Sequence, residues 1–333
     1  MRTLVLQQPG TFRWDDRPEP APAPGEVLLQ VERVGICGTD LHAFDGIQPF
    51  FSYPRVLGHE LCATVLRPTG ALREGDRVTV EPLLACGACY ACRHGKYNCC
   101  ARLQVLGVHT DGGMRRRMVL PAQLLHPAGN LPPEQVAICE MLSIGVHANR
   151  RGSVGAGMAV VVVGAGPIGL GAAQVAHAYG ARVAIVDAVA SRLELAARLG
   201  CERTLHVRET DVTAAVGDWT GGDLADVVIC CVGDAGVIVG AVDYVAPGGR
   251  MVLVGLTDRP APFIPSALVR KEVDLLASRN SRGVFPEVLR LVRERLVDLG
   301  SMITSVVPFA DAAGAFAADR RLSQVKTVVD LSA

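Results

Sequence analysis

The hydrophobic and polar positions along this chain follow two different patterns, and the change lies near residue 150. Before it, short runs with β-strand character are separated by turn signals, and helical periodicity is scarce. After it, short apolar runs alternate with helical segments, as expected of a parallel sheet with crossover helices. The early runs include 26–34, 61–66 and 77–80, and the later ones are 159–163, 183–186, 204–207, 226–231, 250–254 and 273–277. The pattern predicts an α/β protein in which a doubly wound parallel sheet follows an irregular, mostly antiparallel β region.

One crossover helix can be placed in detail. Ser191 precedes Glu194 at the spacing of a capping box, and Gly200 follows the apolar positions as a stop signal. After about Ser278 the alternation ends, and we expect a helix near 284–296 and a last strand at 327–331. A length of 333 residues suits two domains, each with its own interior.

Charge and cysteine content narrow the classes of partner. Lys plus Arg and Asp plus Glu each total 33, so no net field favours nucleic acid or an anionic membrane, and a small-molecule partner is expected. The chain has eleven cysteines and opens without a signal-peptide pattern, which predicts a cytoplasmic location with reduced thiols. The apolar run 158–173 contains glycines and a proline, which favour a strand, a turn and a helix over a membrane span.

A glycine-rich turn follows the strand predicted at 159–163. Its expected cofactor-binding residues are Gly164, Gly166, Pro167, Ile168 and Gly169. Such glycines allow a tight turn, a close approach of pyrophosphate and close packing of helix against strand, and the helix N-terminus favours phosphate.

An acidic residue, Asp187, closes the next predicted strand. A carboxylate at that position binds the adenosine ribose 2′-hydroxyl and repels a 2′-phosphate, so NAD is favoured over NADP. Arg192 lies a few residues further on, and because its positive charge could bind a 2′-phosphate, NADP stays an alternative cofactor.

Cysteines are concentrated in the segment CGACYACRHGKYNCC. Cys86, Cys89, Cys92 and Cys100 follow the spacing C-x2-C-x2-C-x7-C, with Cys99 as an alternative fourth member. Four thiolates on one short loop can close around zinc tetrahedrally, which is typical of a structural site.

A second set of potential ligands is spread over separated segments. GICGTDLH contains Cys37, Thr39, Asp40 and His42, and LGHE contains His59 and Glu60. Thiolate, imidazole and carboxylate together suit an open catalytic zinc site, and a zinc ion beside a dinucleotide supports hydride transfer from an alcohol.

These motifs, with ICEMLSIGVHA and VVVGAGPIGLGAAQ in the same order, resemble the zinc-containing medium-chain alcohol dehydrogenase family over nearly the whole chain. The resemblance implies a GroES-like catalytic domain over 1–150 with a structural-zinc lobe at 86–100. It also implies a Rossmann NAD-binding domain over 151–278 and a return to the catalytic domain over 279–333.

The resemblance also implies roles for the site residues. Cys37, His59 and Glu140 would bind the catalytic zinc, with water, Glu60 or substrate as the fourth ligand. Cys139, next to Glu140, is the alternative third ligand, because classical alcohol dehydrogenases have cysteine there. Cys100, rather than Cys99, would complete the structural zinc site.

Three further residues near Cys37 receive roles from the same resemblance. Thr39 would take the substrate proton and pass it through the nicotinamide ribose to His42. Asp40 would orient a ligand without binding the metal itself.

The implied activity is NAD-linked oxidation of a secondary hydroxyl on a small polyol, sugar or sugar acid, and LQVLGVHTDGGM looks most like members that act on sugar acids. One catalytic and one structural Zn²⁺ per chain and a homo-oligomer, dimer or tetramer, are expected on the same ground. The alternatives are a zinc-free NADPH reductase of the same superfamily and a non-catalytic nucleotide-binding regulatory protein.

Overall fold

The structure is a computed structural model that describes residues 1–49, 51–317 and 324–332. Within them lie the strands β1 Arg2–Gln8, β2 Thr11–Asp16, β3 Glu26–Gly35, β4 Glu60–Arg67, β5 Arg77–Val80, β6 Leu83–Leu84, β7 Gln104–Val105, β8 Arg117–Pro121, β9 Leu125–Pro127, β10 Ala159–Val163, β11 Arg182–Asp187, β12 Arg203–His206, β13 Ala225–Cys230, β14 Val245–Leu253, β15 Asp274–Ala277, β16 Ile303–Pro308 and β17 Lys326–Asp330. The helices are α1 Gly38–Asp45, α2 Tyr90–Arg93, α3 Pro133–Ala137, α4 Cys139–Arg151, α5 Pro167–Ala178, α6 Ala190–Arg198, α7 Val212–Thr220, α8 Ala235–Gly240, α9 Pro265–Lys271 and α10 Phe285–Arg293.

The chain divides into two compact units. The N-terminal unit comprises Met1–Met141, Phe285–Leu289 and Leu299–Ala333, and the central unit comprises Leu142–Val284 and Arg290–Asp298. The boundaries predicted at 150 and 278 differ from these limits, because α4 and α10 each contribute residues to both units.

The N-terminal unit is built on a mostly antiparallel sheet. Its strand order is β16-β17-β3-β4-β5-β9, with β8 also paired to β3, and only the β16–β17 pair is parallel. Leu29, Leu61, Met118 and Phe316 are fully buried in its core. The expected irregular β region is therefore confirmed, while α1 and β16 were not predicted because their sequences lack a clear period.

The central unit contains a six-stranded parallel sheet in the order β12-β11-β10-β13-β14-β15. All five residues of β10 are buried, which explains why this strand is a continuous apolar run rather than an alternating one. The strand order reverses between β10 and β13, and ligands of such sheets bind beyond the carboxyl ends of the strands at that point. The predicted doubly wound sheet is confirmed with all six strands present, and their ends differ from the prediction by at most one residue, except that β14 begins five residues earlier.

The predicted start of α6 is wrong. The helix begins at Ala190 after Val189, so Ser191 lies inside the first turn and does not cap it. The reason is the short connection after β11, in which Asp187 Oδ1 accepts the Val189 N–H at 2.8 Å. The predicted end is confirmed, because Gly200 follows the helix with φ +97°, in the left-handed region that favours glycine.

No helix in the described ranges is long and apolar enough to cross a membrane. The apolar run at 158–173 instead forms β10, the glycine turn and the beginning of α5, as the glycine and proline content predicted.

A buried histidine makes the stability of the central unit sensitive to acid. His147 in α4 is 5% exposed, and burial, followed by the charges of Arg282, Arg151 and Arg150, lowers the pKa of its imidazole to about 4. The unfolded chain then binds more protons than the folded chain between about pH 6.5 and pH 4. We therefore predict that the free energy of unfolding falls as the pH drops through this window, by about 2 kcal/mol between pH 7 and pH 5.

Thermal unfolding of His147→Gln at pH 7 and pH 5 tests this prediction. The variant should lose less stability than the wild type between the two values, because glutamine does not titrate. His177→Gln, which replaces an exposed histidine of the same unit, is the matched control. An equal loss of stability in the wild type and in both variants would contradict the prediction.

Candidate functional site

The ends of two neighbouring strands bring three potential metal ligands together in the N-terminal unit. Cys37 follows β3, His59 immediately precedes β4, and Glu60 is the first residue of β4. The two strands are antiparallel and Gly35 is opposite Glu60, so the end of β3 adjoins the start of β4. One donor atom from each of Cys37, His59 and Glu60 lies within 4.8 Å of the other two. These residues therefore form one cluster although they come from separate segments.

Asp40 supports the cluster from the first turn of α1. Its carboxylate is 1% exposed and accepts the Cys37 N–H at 2.9 Å and the Gly58 N–H at 3.3 Å. One of its oxygens also lies 3.7 Å from His59 Nδ1. Burial raises the pKa of the Asp40 carboxyl, although the nearby His59 acts in the opposite direction. This placement suits the orienting role predicted for Asp40.

A buried lysine from the last strand contacts Glu60. Lys326 is 2% exposed, and its Nζ donates to the Ile36 carbonyl at 3.1 Å and to Glu60 Oε1. Glu60 is completely buried, and a Cβ at position 35 would lie 2.1 Å from Glu60 Oε2, so any side chain there would displace the Glu60 carboxylate. Burial by itself lowers the pKa of the Lys326 amine, but Glu60 and Cys37 outweigh it and raise the pKa. Lys326 was not predicted from the sequence, in which a lysine at the head of the short β-like run KTVVD was the available signal.

Glu140, rather than Cys139, belongs to the electrostatic environment of this cluster. The Glu140 side chain is 7% exposed, and burial raises its pKa to about 7, with His59 opposing the shift and Glu60 adding to it. Cys139 instead donates from Sγ to the Gln135 carbonyl at 3.4 Å. Glu140 is not among the three residues whose donor atoms are mutually within 4.8 Å.

The chemistry of the cluster fits a zinc ion. Within the described residues, His59 Nδ1 and Glu60 Oε2 are buried without a hydrogen-bond partner, which is costly unless a ligand compensates for it. Burial by itself lowers the pKa of His59, but Asp40 and Cys37 outweigh it and hold the pKa well above its ordinary value. The surroundings therefore favour positive charge, and thiolate, imidazole and carboxylate are ligands that Zn²⁺ accepts.

The two residues expected to carry protons lie on α1. The Thr39 side chain is half-buried, and its Oγ1 accepts a weak hydrogen bond from Cys37 Sγ at 3.8 Å. His42 is exposed in the last turn of the helix. Thr39 is thus beside the potential ligands, and His42 is in contact with solvent.

The cysteine-rich segment forms a separate lobe in the N-terminal unit. The Sγ atoms of Cys86, Cys89, Cys92 and Cys100 lie within 4.8 Å of one another. Cys99 is exposed and outside this group, whereas Cys100 is buried. The structure therefore brings together the four cysteines that the resemblance implied and leaves Cys99 apart.

Backbone N–H groups are directed at the sulfur atoms of the lobe. Cys86 N–H donates to Cys100 Sγ at 3.3 Å, and Cys89 N–H donates to Cys86 Sγ at 3.4 Å. Hydrogen bonds from Ala88 and Cys89 lower the pKa of Cys86 to about 5, while burial and its thiol neighbours raise the pKa of Cys92 to about 12. Such a group accommodates several thiolates only when a cation balances their charge, so the lobe fits a closed structural zinc site.

The glycine-rich turn lies at the carboxyl end of β10 in the central unit. Gly164 has φ +98°, and a Cβ on Gly169 would lie 1.8 Å from the Gly164 carbonyl oxygen. A Cβ on Gly166 would meet no atom within 4 Å, so the turn is open at that residue. Pro167 is the first residue of α5 and Ile168 the second, which leaves the helix N-terminus facing the turn. The arrangement is that of a phosphate-binding turn.

Asp187 ends β11 beside this turn. Its Oδ2 accepts the Ala165 N–H at 2.6 Å and its Oδ1 accepts the Val189 N–H at 2.8 Å. These two bonds hold the carboxylate in one orientation, and each oxygen keeps a lone pair for a further donor. Arg192 lies in the first turn of α6, three residues after Val189, whose carbonyl accepts the Arg192 N–H.

Comparison with known proteins agrees with this geometry. The alcohol dehydrogenase GroES-like domain matches residues 23–132, and the zinc-binding dehydrogenase domain matches residues 167–294. An L-galactonate-5-dehydrogenase from Escherichia coli K12 is 39% identical over 324 residues, which cover 96% of this chain and 95% of that protein. The chain belongs to the zinc-containing alcohol dehydrogenase family, and the family resemblance noted in the sequence is confirmed.

Two similar solved structures contain nicotinamide cofactors. An alcohol dehydrogenase from Escherichia coli CFT073 in complex with NADH has a TM-score of 0.92 and 29% identity, with 99% of each chain covered. A zinc-binding dehydrogenase from Sinorhizobium meliloti 1021 bound to NADP has a TM-score of 0.94 and 28% identity, again with 99% of each chain covered. The family thus supports an enzyme with zinc and a nicotinamide cofactor.

Proposed function

We propose that the protein is a zinc-dependent, NAD-linked dehydrogenase that oxidises a secondary hydroxyl of a small polyol, sugar or sugar acid to a ketone. The observation that carries the proposal is the cluster of Cys37, His59 and Glu60, which contains buried polar atoms without partners inside a dehydrogenase fold. A non-catalytic regulatory protein on the same fold would have no need to retain such a cluster.

In this proposal Cys37, His59 and Glu140 hold the catalytic zinc. When bound, zinc supplies a Lewis acid that makes a nearby hydroxyl group more acidic, and NAD supplies the hydride acceptor. Asp40 keeps Cys37 oriented, because its carboxylate accepts the Cys37 N–H at 2.9 Å. Thr39 takes the substrate proton at its hydroxyl oxygen as its own proton passes along the relay that the family resemblance implies, and this relay ends at the exposed His42.

The same proposal assigns the four lobe cysteines Cys86, Cys89, Cys92 and Cys100 to a structural zinc. It assigns the turn residues Gly164, Gly166, Pro167, Ile168 and Gly169 to the cofactor pyrophosphate. These assignments rest on the close approach of the four sulfur atoms and on the open glycine turn before α5.

The preference for NAD depends on Asp187. A fixed carboxylate at the end of the second strand accepts hydrogen bonds from ribose hydroxyls and repels a 2′-phosphate. We predict that Asp187→Ser lowers kcat/KM for NAD about tenfold, or about 1.4 kcal/mol. The ratio of kcat/KM with NAD to kcat/KM with NADP should therefore become smaller. Once the carboxylate is removed, Arg192 in the first turn of the following helix α6 is the cation that would favour NADP.

Kinetics with both cofactors check this prediction, and Asp218→Ser, at an exposed aspartate of α7, is the control. A variant that keeps the wild-type ratio between the two cofactors would show that Asp187 does not select NAD.

Sugar acids are the substrate class that we favour within the proposal. Support comes from the relative that is an L-galactonate-5-dehydrogenase and from the segment LQVLGVHTDGGM. The test is metal content per chain together with NADH formation over a panel of aldonates, polyols, sugars and simple alcohols. Two zinc ions per chain and turnover of one hydroxylated class are expected.

The same experiment separates the alternatives. A zinc-free reductase would retain at most the lobe zinc and would oxidise NADPH with an activated alkene, and a regulatory protein would bind cofactor without turnover. Turnover of simple alcohols but not of aldonates or polyols would overturn the substrate class. A homo-oligomer, dimer or tetramer, and a cytoplasmic location stay predictions, which light scattering and cell fractionation test.

A further inference from the structure

We propose that Lys326 is a positioning residue that tethers Glu60 beside the catalytic metal as a weak, displaceable ligand. The fourth coordination position, next to Cys37 and His59, would then remain available to the substrate. This inference rests on the proposed function, because it concerns the same metal site.

Two hydrogen bonds fix the Lys326 amine. It donates to the Ile36 carbonyl at 3.1 Å and to Glu60 Oε1, and the side chain is 2% exposed. Water therefore has little access to the ion pair, and in such surroundings the attraction between the two charges is strong. The lysine therefore engages one of the two Glu60 carboxylate oxygens.

The second carboxylate oxygen is unengaged. Glu60 Oε2 has no hydrogen-bond partner within the described residues, and Glu60 belongs to the cluster with Cys37 and His59. Gly35 leaves room for this oxygen, because a side chain there would collide with it. Glu60 is thus close enough to bind a cation, yet it shares its charge with Lys326.

Competition between the two cations makes Glu60 a weak ligand. Full transfer of the carboxylate to the metal would leave a buried ammonium group without its partner, which is strongly unfavourable. With Lys326 in place, a substrate hydroxyl or water can displace Glu60. If the positive charge of Lys326 were removed, Glu60 would bind the metal permanently and block the fourth coordination position.

Zinc release to a chromogenic chelator provides a readout that is independent of activity. Cys37→Ser, which should retain only the lobe zinc, identifies the release phase of the catalytic site. In Lys326→Met we expect about tenfold slower release of the catalytic zinc, because Glu60 becomes a firm ligand, and about tenfold lower kcat/KM. A purely structural role for Lys326 would have the opposite effect on zinc, because a loosened site releases its metal faster.

Cobalt substitution tests the open position directly. Because the lobe has four thiolates and no open position, a spectral change on addition of imidazole reports only the catalytic site. The wild-type Co²⁺ protein should show this change, and Lys326→Met should not. The double variant Lys326→Met/Glu60→Gln should regain it together with most of the turnover, and Lys326→Arg, which keeps the charge, should resemble the wild type.

Two further variants complete the experiment. Lys326→Gln keeps a donor for the Ile36 carbonyl and replaces Lys326→Met if that variant does not fold. Lys271→Met is the matched control, because the Lys271 amine in the central unit donates to backbone carbonyls, of which that of Val245 is 2.9 Å away. It should leave zinc release unchanged.

The outcomes distinguish this inference from the function on which it rests. Faster zinc release in Lys326→Met, or a double variant without rescue, overturns the inference while the wild type still binds two zinc ions and turns over substrate. A wild-type protein without zinc at Cys37 overturns both.

Discussion

Cys37→Ser is expected to abolish turnover while the fold persists. Cys37 contributes the thiolate of the cluster with His59 and Glu60, and serine is a poor zinc ligand at neutral pH. We expect kcat/KM to fall at least about 1,000-fold, or about 4 kcal/mol of transition-state stabilisation, and zinc content to fall from two ions to one per chain.

The fold should tolerate this substitution for a local reason. Cys37 is half-buried and precedes the first turn of α1, where serine is a favoured N-cap residue. Asp40 accepts the backbone N–H of residue 37 at 2.9 Å, and that bond does not depend on the side chain. Thermal unfolding and cofactor binding should therefore stay close to those of the wild type.

The control is Cys201→Ser, which replaces a cysteine outside both clusters. If Cys37→Ser retained two zinc ions and full turnover, the catalytic assignment would be wrong. Full turnover with a single zinc ion per chain in both the wild type and the variant would instead favour the zinc-free reductase, because its reaction does not depend on Cys37.

Cys89→Ser should act on stability instead of on the chemical step. The apolar core of the lobe contains only Leu83, Cys100 and Leu103 as buried members, which is too little to order the segment alone. The sulfur atoms of Cys89 and Cys92 are 3.5 Å apart, so a metal ion that balances their charge would also hold the segment together. We expect one zinc ion per chain and a Tm about 5 °C lower or more.

Metal analysis, calorimetry and limited proteolysis of the segment 86–105 check this expectation. NADH binding should be retained, because the glycine turn and Asp187 belong to the central unit. Cys99→Ser is the matched control, since Cys99 is exposed and outside the cluster. Unchanged zinc content and an unchanged Tm in Cys89→Ser would refute a structural zinc in the lobe.

The sequence by itself determined those features that depend on neighbouring residues. The strand β10 could be recognised because burial on both faces requires a continuous apolar run, which Val160 to Val163 provide. The glycine turn followed from the steric needs of one tight connection, and the lobe followed from cysteines of one short loop. In each case the physical constraint acts over about twenty residues or fewer, so it is visible as spacing.

Tertiary structure distinguished neighbouring residues that the spacing left equivalent. Cys99 and Cys100 are adjacent in sequence, but only Cys100 is buried, and only its sulfur lies beside those of the other three cysteines. Cys139 and Glu140 are likewise adjacent, but helix geometry directs their side chains about 100° apart. Cys139 donates to the carbonyl of Gln135 in the preceding helix α3. The start of α6 depended on Asp187, a residue of the preceding strand.

Long-range strand pairing decided the rest of the candidate active site. Cys37 adjoins Glu60 because β3 and β4 are antiparallel with Gly35 opposite Glu60, and Lys326 reaches Glu60 because β17 lies on the other side of β3. A sequence pattern carries no information on which distant strands pair or in which register. Only the burial of a common core selects that register. The ion pair between Lys326 and Glu60 could therefore be seen only in the folded structure.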